Sequence, residues 1–171
     1  MVREFAEAKA LDLKEGSMDD VRLAKGLWLI EHVGGVIYDH FSRTLDDRDI
    51  AGTFQRFARH EHMHAAWYGE WITAHGGNLP TAGNYESLVV PGVQFWLAAH
   101  SLERKLRVFS ATERTAARHL VGLAGKVRDP ELKAIIERTV PYEHMHADWY
   151  ERVGRRMLNP SEGERTSLTL E

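Results

Sequence analysis

The fold is decided by a stretch that occurs twice: His60-Glu61-His62-Met63-His64-Ala65-Ala66-Trp67-Tyr68 returns 82 residues later as Tyr142-Glu143-His144-Met145-His146-Ala147-Asp148-Trp149-Tyr150. Both copies contain Glu-x-x-His, and residues i and i+3 of an α-helix share a face, about 5–6 Å apart. The same offset maps Glu31 onto Glu113. The two halves thus supply four carboxylates and two imidazoles, the ligand number of a dinuclear metal site in a helical bundle.

Apolar residues recur at helical spacing around these motifs, and no strand pattern competes with them. We predict helix 1 over about 18–44, helix 2 to about His75, helix 3 from near Pro91 to near Arg128, and helix 4 from Asp129-Pro130. Helix 3 is expected to bend near Ser110, and Pro141 should kink or restart helix 4. The connection 76–91 is rich in Gly, Pro and Asn. The sequence therefore predicts an all-α fold, an antiparallel four-helix bundle with one long crossover between helices 2 and 3.

The composition fits one globular domain of this kind. The chain has 171 residues, of which 43% are hydrophobic and 27% charged, with a formal net charge of −3. We predict a lead segment over 1–16, the bundle over 17–158 and a flexible tail over 159–171. The absence of cysteine excludes disulfides, Cys-ligated zinc and iron–sulfur clusters. Without a basic excess, a signal peptide or a spanning segment, we expect a cytoplasmic protein that binds neither nucleic acid nor membrane.

The turn positions bring the candidate ligands to one level of the bundle. Glu31 and Glu61 lie 15 residues before and after a turn near position 46, and Glu113 and Glu143 lie 15 residues either side of position 128. Antiparallel helices of equal rise place such residues at the same height. Glu103 is the alternative ligand on helix 3, but it lies roughly 15 Å along the axis from Glu113 by the helical rise. Its spacing to Arg107 predicts an exposed ion pair instead.

These six residues interrupt apolar stripes with groups that are rarely buried alone. An unpaired buried carboxylate costs several kcal/mol or raises its own pKa. Two divalent cations would remove that cost, and mixed Glu/His ligation suits iron or manganese. The sequence therefore predicts a two-metal site, most simply Fe/Fe, with Mn/Fe as the alternative, on these ligands: Glu31, Glu61, His64, Glu113, Glu143 and His146.

Several neighbours of the ligands leave alternatives open. Tyr38 lies seven residues after Glu31 on the same face, where it could hydrogen-bond a ligand carboxylate and take a catalytic role, or belong to the core. Gly34-Gly35, one turn after Glu31, could make room for a ligand, oxygen or substrate, or allow close helix packing. Trp67, Tyr68, Trp149 and Tyr150 are more typical of core than of electron relay. Roles beside the ligands or on the surface suit His60, His62 and His144 better than ligation.

At these residues the chain resembles the ferritin-like di-iron carboxylate superfamily over about residues 17–158, and the rubrerythrin-type branch most. A Tyr seven residues after the first Glu and a helix 2 closing on Gly-Gly-Asn-Leu-Pro are features of that branch. The resemblance implies that Glu61 and Glu143 bridge the metals. It further implies that Glu31 and Glu113 are terminal ligands and that each metal takes one His.

The chain departs from the family pattern at three points. Ser110 stands where rubrerythrins carry a further Glu, and no Cys-rich rubredoxin domain is present, so electrons would need an external donor. His60 and Tyr142 stand where many multicomponent monooxygenases have an acidic residue before Glu-x-x-His.

The resemblance predicts an oxidoreductase that activates O₂ or peroxide, with oxygenase and peroxidase types both open. A ferroxidase or iron-binding protein without a small-molecule substrate is the alternative. A homodimer is compatible with either function.

Overall fold

The fold is all-α over the residues that the computed structural model describes, which are 20–81, 83, 91–93, 95–96 and 98–158. Helix α1 spans Asp20–Thr44, α2 Arg48–Ala74, α3 Leu102–Ala124 and α4 Pro130–Leu158. The predicted lead segment 1–16, the tail 159–171 and most of the predicted crossover lie outside the described residues. None of the described helices combines the length and apolar character that a bilayer crossing requires.

Three helices begin where side chains cap their free amides. Asp47 Oδ1 accepts hydrogen bonds from the amides of Asp49 and Ile50 at 3.0 Å at the start of α2. Asp129 Oδ1 does the same for Glu131 and Leu132 at 3.0 and 2.8 Å, which confirms the predicted start of α4. Ser101 caps α3. These caps fix the helix boundaries, and with them the heights of the residues on each helix.

Helix α2 ends as its glycines indicate. The helix stops at Ala74, and Gly76 follows with a φ of +72°. This left-handed conformation is readily adopted only by a residue without a Cβ atom. The predicted end near His75 is therefore confirmed to within one residue.

The prediction of one continuous helix 3 from near Pro91 was wrong. Residues 91–93, 95–96 and 98–99 are helical, but the chain breaks at 100–101 and α3 begins at Leu102. Ser101 has an extended backbone and its hydroxyl accepts from the amide of Arg104, so a new helix starts there. The helix then continues through Ser110 without interruption. In α4, Pro141 lies inside a continuous helix and does not restart it.

The helices pack chiefly in two pairs, α1 with α2 and α3 with α4, and α2 also contacts α4. Connections of three residues (45–47) and five residues (125–129) make each pair antiparallel neighbours. Asp129 ties one end together, since its amide donates to Asp20 Oδ2 at 3.0 Å and its carboxylate accepts from Trp71 Nε1 at 3.0 Å. The start of α1, the end of α2 and the α3–α4 turn therefore lie at the same end of the molecule.

Two buried apolar clusters fill the core, and each takes side chains from all four helices. The first, near the Asp129 end, contains Ala24, Leu27, Trp28, Ala65, Tyr68, Trp71, Ile72, Leu120, Ala124, Leu132 and Ile136. The second contains Tyr38, Phe41, Ile50, Phe54, Phe57, Ala58, Leu106, Trp149, Tyr150 and Val153. On every helix the candidate metal ligands fall between the residues of these two clusters. The fold thus places a polar layer between two apolar ones.

Candidate metal centre

The structure buries all six candidate ligands in this polar layer. Four of them are carboxylates, and none exposes more than 5% of its surface: Glu31 4%, Glu61 5%, His64 0%, Glu113 5%, Glu143 3% and His146 0%. Each lies on the buried stripe of its helix. The matched distances from the two turns therefore do bring residues of all four helices together.

The ligand atoms form two overlapping groups of four, within each of which all atoms lie within 4.8 Å of one another. One group has Glu31 and His64, the other has Glu113 and His146, and both include Glu61 and Glu143. A pair of shared carboxylates between two otherwise separate sets is the arrangement that two neighbouring cations need. The donor set also suits iron or manganese, which accept carboxylate and imidazole ligands together.

Unsatisfied buried atoms test whether these residues fit metal ions. Among the described residues, Glu61 Oε1, Glu143 Oε1, His64 Nε2 and His146 Nδ1 are buried without a hydrogen-bond partner. Glu61 Oε1 and His146 Nδ1 lie only 3.2 Å apart, yet they form no hydrogen bond. Buried polar atoms without partners are rare, because each costs about 1–3 kcal/mol. Lone pairs that converge in this way fit cations, so the residues present suit a two-metal centre.

Burial and mutual repulsion shift the protonation of these groups in the absence of metal. Burial is the largest cause that raises the pKa of Glu61, Glu113 and Glu143 above the ordinary value of 4.5, and neighbouring carboxylates add to it. Burial likewise lowers the pKa of His146 well below 6.5, with further lowering by His60 and His64. Both shifts disfavour the charged forms of these side chains.

Tyr38 contacts the site directly. Its hydroxyl donates a hydrogen bond to Glu113 Oε1, although Tyr38 follows Glu31 on α1 and Glu113 lies on α3. Burial, followed by the charge of Glu113, raises the pKa of Tyr38 well above 10.0. Both alternatives for this residue are therefore present: its ring belongs to the second apolar cluster, and its hydroxyl bonds a candidate ligand across the two halves of the chain.

The glycines after Glu31 make room for side chains of α2. A Cβ atom on Gly34 would lie 3.2 Å from Glu61 Oε2, and one on Gly35 would lie 2.5 Å from the His62 ring. His62 in turn contacts Asp39 Oδ2 at 3.1 Å. Close helix packing thus explains Gly35, whereas Gly34 gives room to a candidate ligand.

Glu103 and Ser110 of α3 both make contacts with residues outside the two ligand groups. Glu103 pairs with Arg107, as its spacing predicted, and lies outside both ligand groups. Ser110 is buried, and its hydroxyl donates to the backbone oxygen of Ala147 at 3.0 Å. The place of the additional family Glu is therefore occupied by a residue that joins α3 to α4.

Other residues near the site were not identified from the sequence. Arg114, next to Glu113, forms ion pairs with Asp148 at 2.9 Å and with Glu151, and so holds α3 against α4. The buried hydroxyls of Thr139 and Tyr68 share a hydrogen bond of 3.3 Å. The only available signal was the position of Thr139 on the apolar stripe of helix 4, since contacts between helices leave no local pattern.

His75, Asp129 and Glu131 also come close enough to hold a cation, but they lie near the surface. The Asp129 carboxylate there already caps α4 and accepts from Trp71. Its role in the fold accounts for this cluster.

Comparison with known proteins agrees with this geometry. The rubrerythrin family model matches residues 29–154, which include all six candidate ligands and Tyr38. No curated protein and no solved structure matches the chain. Since the matched range covers 126 of 171 residues, the chain belongs to the rubrerythrin family, within the ferritin-like di-iron carboxylate superfamily.

Proposed function

We propose that this protein is a non-haem di-iron oxidoreductase, with Mn/Fe as the alternative metal pair, that activates O₂ or peroxide at its Glu₄His₂ centre. The observation that carries the proposal is the pair of ligand groups that share Glu61 and Glu143. Two metal ions held in this way would supply redox chemistry that no side chain of the chain can supply. Electrons would come from an external donor.

The ligand roles follow from membership of the two groups. Glu61 and Glu143, which belong to both, would bridge the metals. Glu31 with His64 would complete one position, and Glu113 with His146 the other. The two imidazoles present their Nδ1 atoms to the layer, since His64 Nδ1 lies 3.1 Å from Glu31 Oε2 and His146 Nδ1 lies 3.2 Å from Glu61 Oε1.

Tyr38 would act on this centre through Glu113. A hydroxyl that donates to one carboxylate oxygen leaves the other oxygen of Glu113 as the better ligand. It also fixes the carboxylate orientation, as outer hydrogen bonds do in metal sites generally. Tyr38, expected from the sequence to be catalytic, is therefore proposed as a positioning residue that acts through Glu113.

The proposed architecture is an antiparallel four-helix bundle, with the lead segment and tail at 1–16 and 159–171. The cores that draw on all four helices support the bundle. The chain between α2 and α3 would form the crossover. We further propose a cytoplasmic protein, as a monomer or a homodimer, that binds neither nucleic acid nor membrane.

The burial of the centre bears on what can react there. With the six ligands at most 5% exposed and apolar clusters on both sides, reactants as small as O₂ or peroxide suit the layer better than large substrates. The same enclosure is compatible with the second candidate function, oxidation and storage of iron itself. In that case Fe(II) is the substrate and no organic molecule is needed.

Metal analysis of the purified chain, with exposure of its Fe(II) form to O₂ or peroxide, tests the proposal. We expect two tightly bound metals per chain, and loss of both in Glu61→Ala and in Glu143→Ala. Glu103→Ala is the matched control, because it removes a carboxylate of α3 from an exposed ion pair. Fewer than one metal per chain, unaffected by Glu61→Ala, would refute metal binding.

Turnover separates the two candidate functions. Repeated consumption of O₂ or peroxide in the presence of a reductant indicates an oxidoreductase. A single oxidation of added Fe(II), followed by retention of Fe(III), indicates iron handling.

A further inference from the structure

The residue before each Glu-x-x-His differs between the two copies. This difference changes the contacts of the candidate histidine ligands. His60 precedes Glu61, whereas Tyr142 precedes Glu143. His60 Nδ1 lies 3.0 Å from Nε2 of His146, the ligand of the opposite copy. The two ring planes are parallel to within 2°, and the ring centroids lie 5.3 Å apart. A residue beside one motif therefore contacts the outer nitrogen of the other motif's histidine.

This contact selects the tautomer that a metal requires. His146 Nδ1 points into the layer, towards Glu61. A nitrogen binds metal through its lone pair, so a neutral His146 must carry its proton on Nε2. That proton then has His60 Nδ1 as its acceptor, and His60 keeps its own proton on Nε2. The hydrogen bond fixes both the proton position and the orientation of the His146 ring.

The equivalent contact is missing around the other histidine. His64 turns Nδ1 towards Glu31 and Glu143, at 3.1 and 3.8 Å, and its buried Nε2 has no hydrogen-bond partner among the described residues. Tyr142 occupies the corresponding place, but it meets the His64 ring edge-on with centroids 4.9 Å apart. Tyr142 therefore packs on His64 without hydrogen-bonding to its outer nitrogen.

We propose that His60 is a positioning residue that makes the two metal positions unequal. The position formed by Glu61, Glu113, Glu143 and His146 binds its metal more tightly and fills first. The position with Glu31 and His64 fills second. This inference rests on the proposed metal binding and adds an order of filling to it. Loss of an outer hydrogen-bond partner of a metal-bound histidine typically weakens metal affinity by about 10- to 100-fold.

The test is an anaerobic titration of the metal-free full-length chain with Co²⁺, followed by calorimetry and by the visible absorption of the bound ion. The unsubstituted protein is expected to bind two ions in separate steps. In His60→Phe, which keeps a flat ring but removes the acceptor, the tighter step weakens by about 10- to 100-fold. His62→Phe is the matched control, because His62 flanks Glu61 on the other side and contacts Asp39. Its two steps should not change.

A substitution in the other copy distinguishes positioning from general damage. Tyr142→His offers His64 Nε2 the acceptor that His146 already has, so the weaker step should become tighter, which a merely disruptive change cannot achieve. In the zinc-loaded protein with isotope-labelled histidine, NMR should detect the hydrogen-bonded Nε2 proton of His146. The signal should disappear in His60→Phe.

The outcomes separate the inference from the function on which it rests. If no Co²⁺ binds, the proposed metal site itself is wrong. If two ions bind with equal affinity, or if His60→Phe leaves the tighter step unchanged, the metal site stands and the role of His60 is refuted. Should circular dichroism show that His60→Phe is unfolded, Tyr142→His decides, and an unchanged weaker step refutes the role.

Discussion

The two halves of the molecule, α1–α2 and α3–α4, carry the same ligands in different surroundings. In the first half Trp67 is partly exposed, with the Arg138 guanidinium 3.8 Å from its ring centroid, whereas its counterpart Trp149 is 2% exposed. Tyr38 of the first half reaches Glu113 of the second, and its counterpart Leu120 is an apolar core residue. The duplication therefore sets the number and height of the candidate ligands, and the unmatched neighbours would make the two proposed metal positions chemically distinct.

The largest expected difference between the two metal positions is in the number of ions bound after one candidate histidine ligand is removed. His64→Ala and His146→Ala should each reduce the bound metal from two ions to one, because each imidazole belongs to only one ligand group. His144→Ala, an exposed residue between Glu143 and His146, should retain both ions. Metal analysis after gel filtration measures this. Loss of both ions from either variant would mean that the positions are not separate.

The stability of the metal-free protein should depend on pH because of the buried carboxylates of the layer. The pKa values of Glu61, Glu113 and Glu143 are raised above 4.5, so the folded chain holds protons that the unfolded chain has lost. The free energy of unfolding therefore falls as the pH rises above 4.5 towards the raised values. Each such proton contributes about 1.4 kcal/mol per pH unit.

Two histidines oppose this trend at lower pH. The pKa values of His60 and His146 are lowered, so the folded chain binds fewer protons than the unfolded chain below 6.5. The two histidines should therefore offset part of the fall in stability below 6.5. Urea unfolding of the metal-free chain from about pH 5 to about pH 8 measures the trend. Glu61→Gln should flatten it, and a stability that rises throughout this range would contradict the expected protonation.

One hydrogen bond between the halves, from Tyr38 to Glu113, can be removed by deleting a single oxygen atom. Tyr38→Phe deletes the hydroxyl that donates to Glu113, and we expect a loss of about 1–3 kcal/mol in the free energy of unfolding. Tyr68→Phe is the matched control, since its hydroxyl makes a long bond of 3.3 Å to the neutral hydroxyl of Thr139 instead of to a carboxylate. Its loss should be about 0.5–1.5 kcal/mol. Equal losses of stability in the two variants would show that the bond from Tyr38 to Glu113 is no stronger than an ordinary hydroxyl bond.

The smallest expected change in stability concerns Gly34-Gly35, whose counterparts in the second half are Ala116-Ala117. A Cβ atom on Gly35 would displace the partly exposed His62 ring and its contact with Asp39, but alanine gains about 1 kcal/mol in a helix. We expect Gly35→Ala to change the free energy of unfolding by less than about 1 kcal/mol. Gly52→Ala, which meets nothing within 4 Å, should stabilise by about that amount. A large loss in Gly35→Ala would show that His62 cannot move.

The sequence was sufficient for the features that follow from spacing along a helix. Glu31 and Glu61 meet because a connection of only three residues joins two helices of equal rise, so the count of residues from the turn gives the height. Glu113 was preferred to Glu103 by the same count, and both ligand groups exclude Glu103. The family was also predicted correctly, from Glu-x-x-His repeated in register.

Features that depend on how one helix is turned against another could not be predicted. The bonds of His60 to His146 and of Arg114 to Asp148 join residues 86 and 34 positions apart, and neither pair has a local signature. The start of α3 was missed because Ser101 is followed three residues later by Arg104, so no capping box was available.

The polar layer between the two apolar clusters would control how fast the proposed metal ions enter and leave. An ion in solution meets buried side chains at the ligands, so uptake requires a transient local opening of the helices, whose frequency depends on the stability of the surrounding core. Apolar substitutions in these clusters, such as Leu106→Ala, would then accelerate loading and release without removing a ligand. The stability of the core would then determine how long a metal stays bound, whereas the carboxylates and imidazoles would determine its affinity.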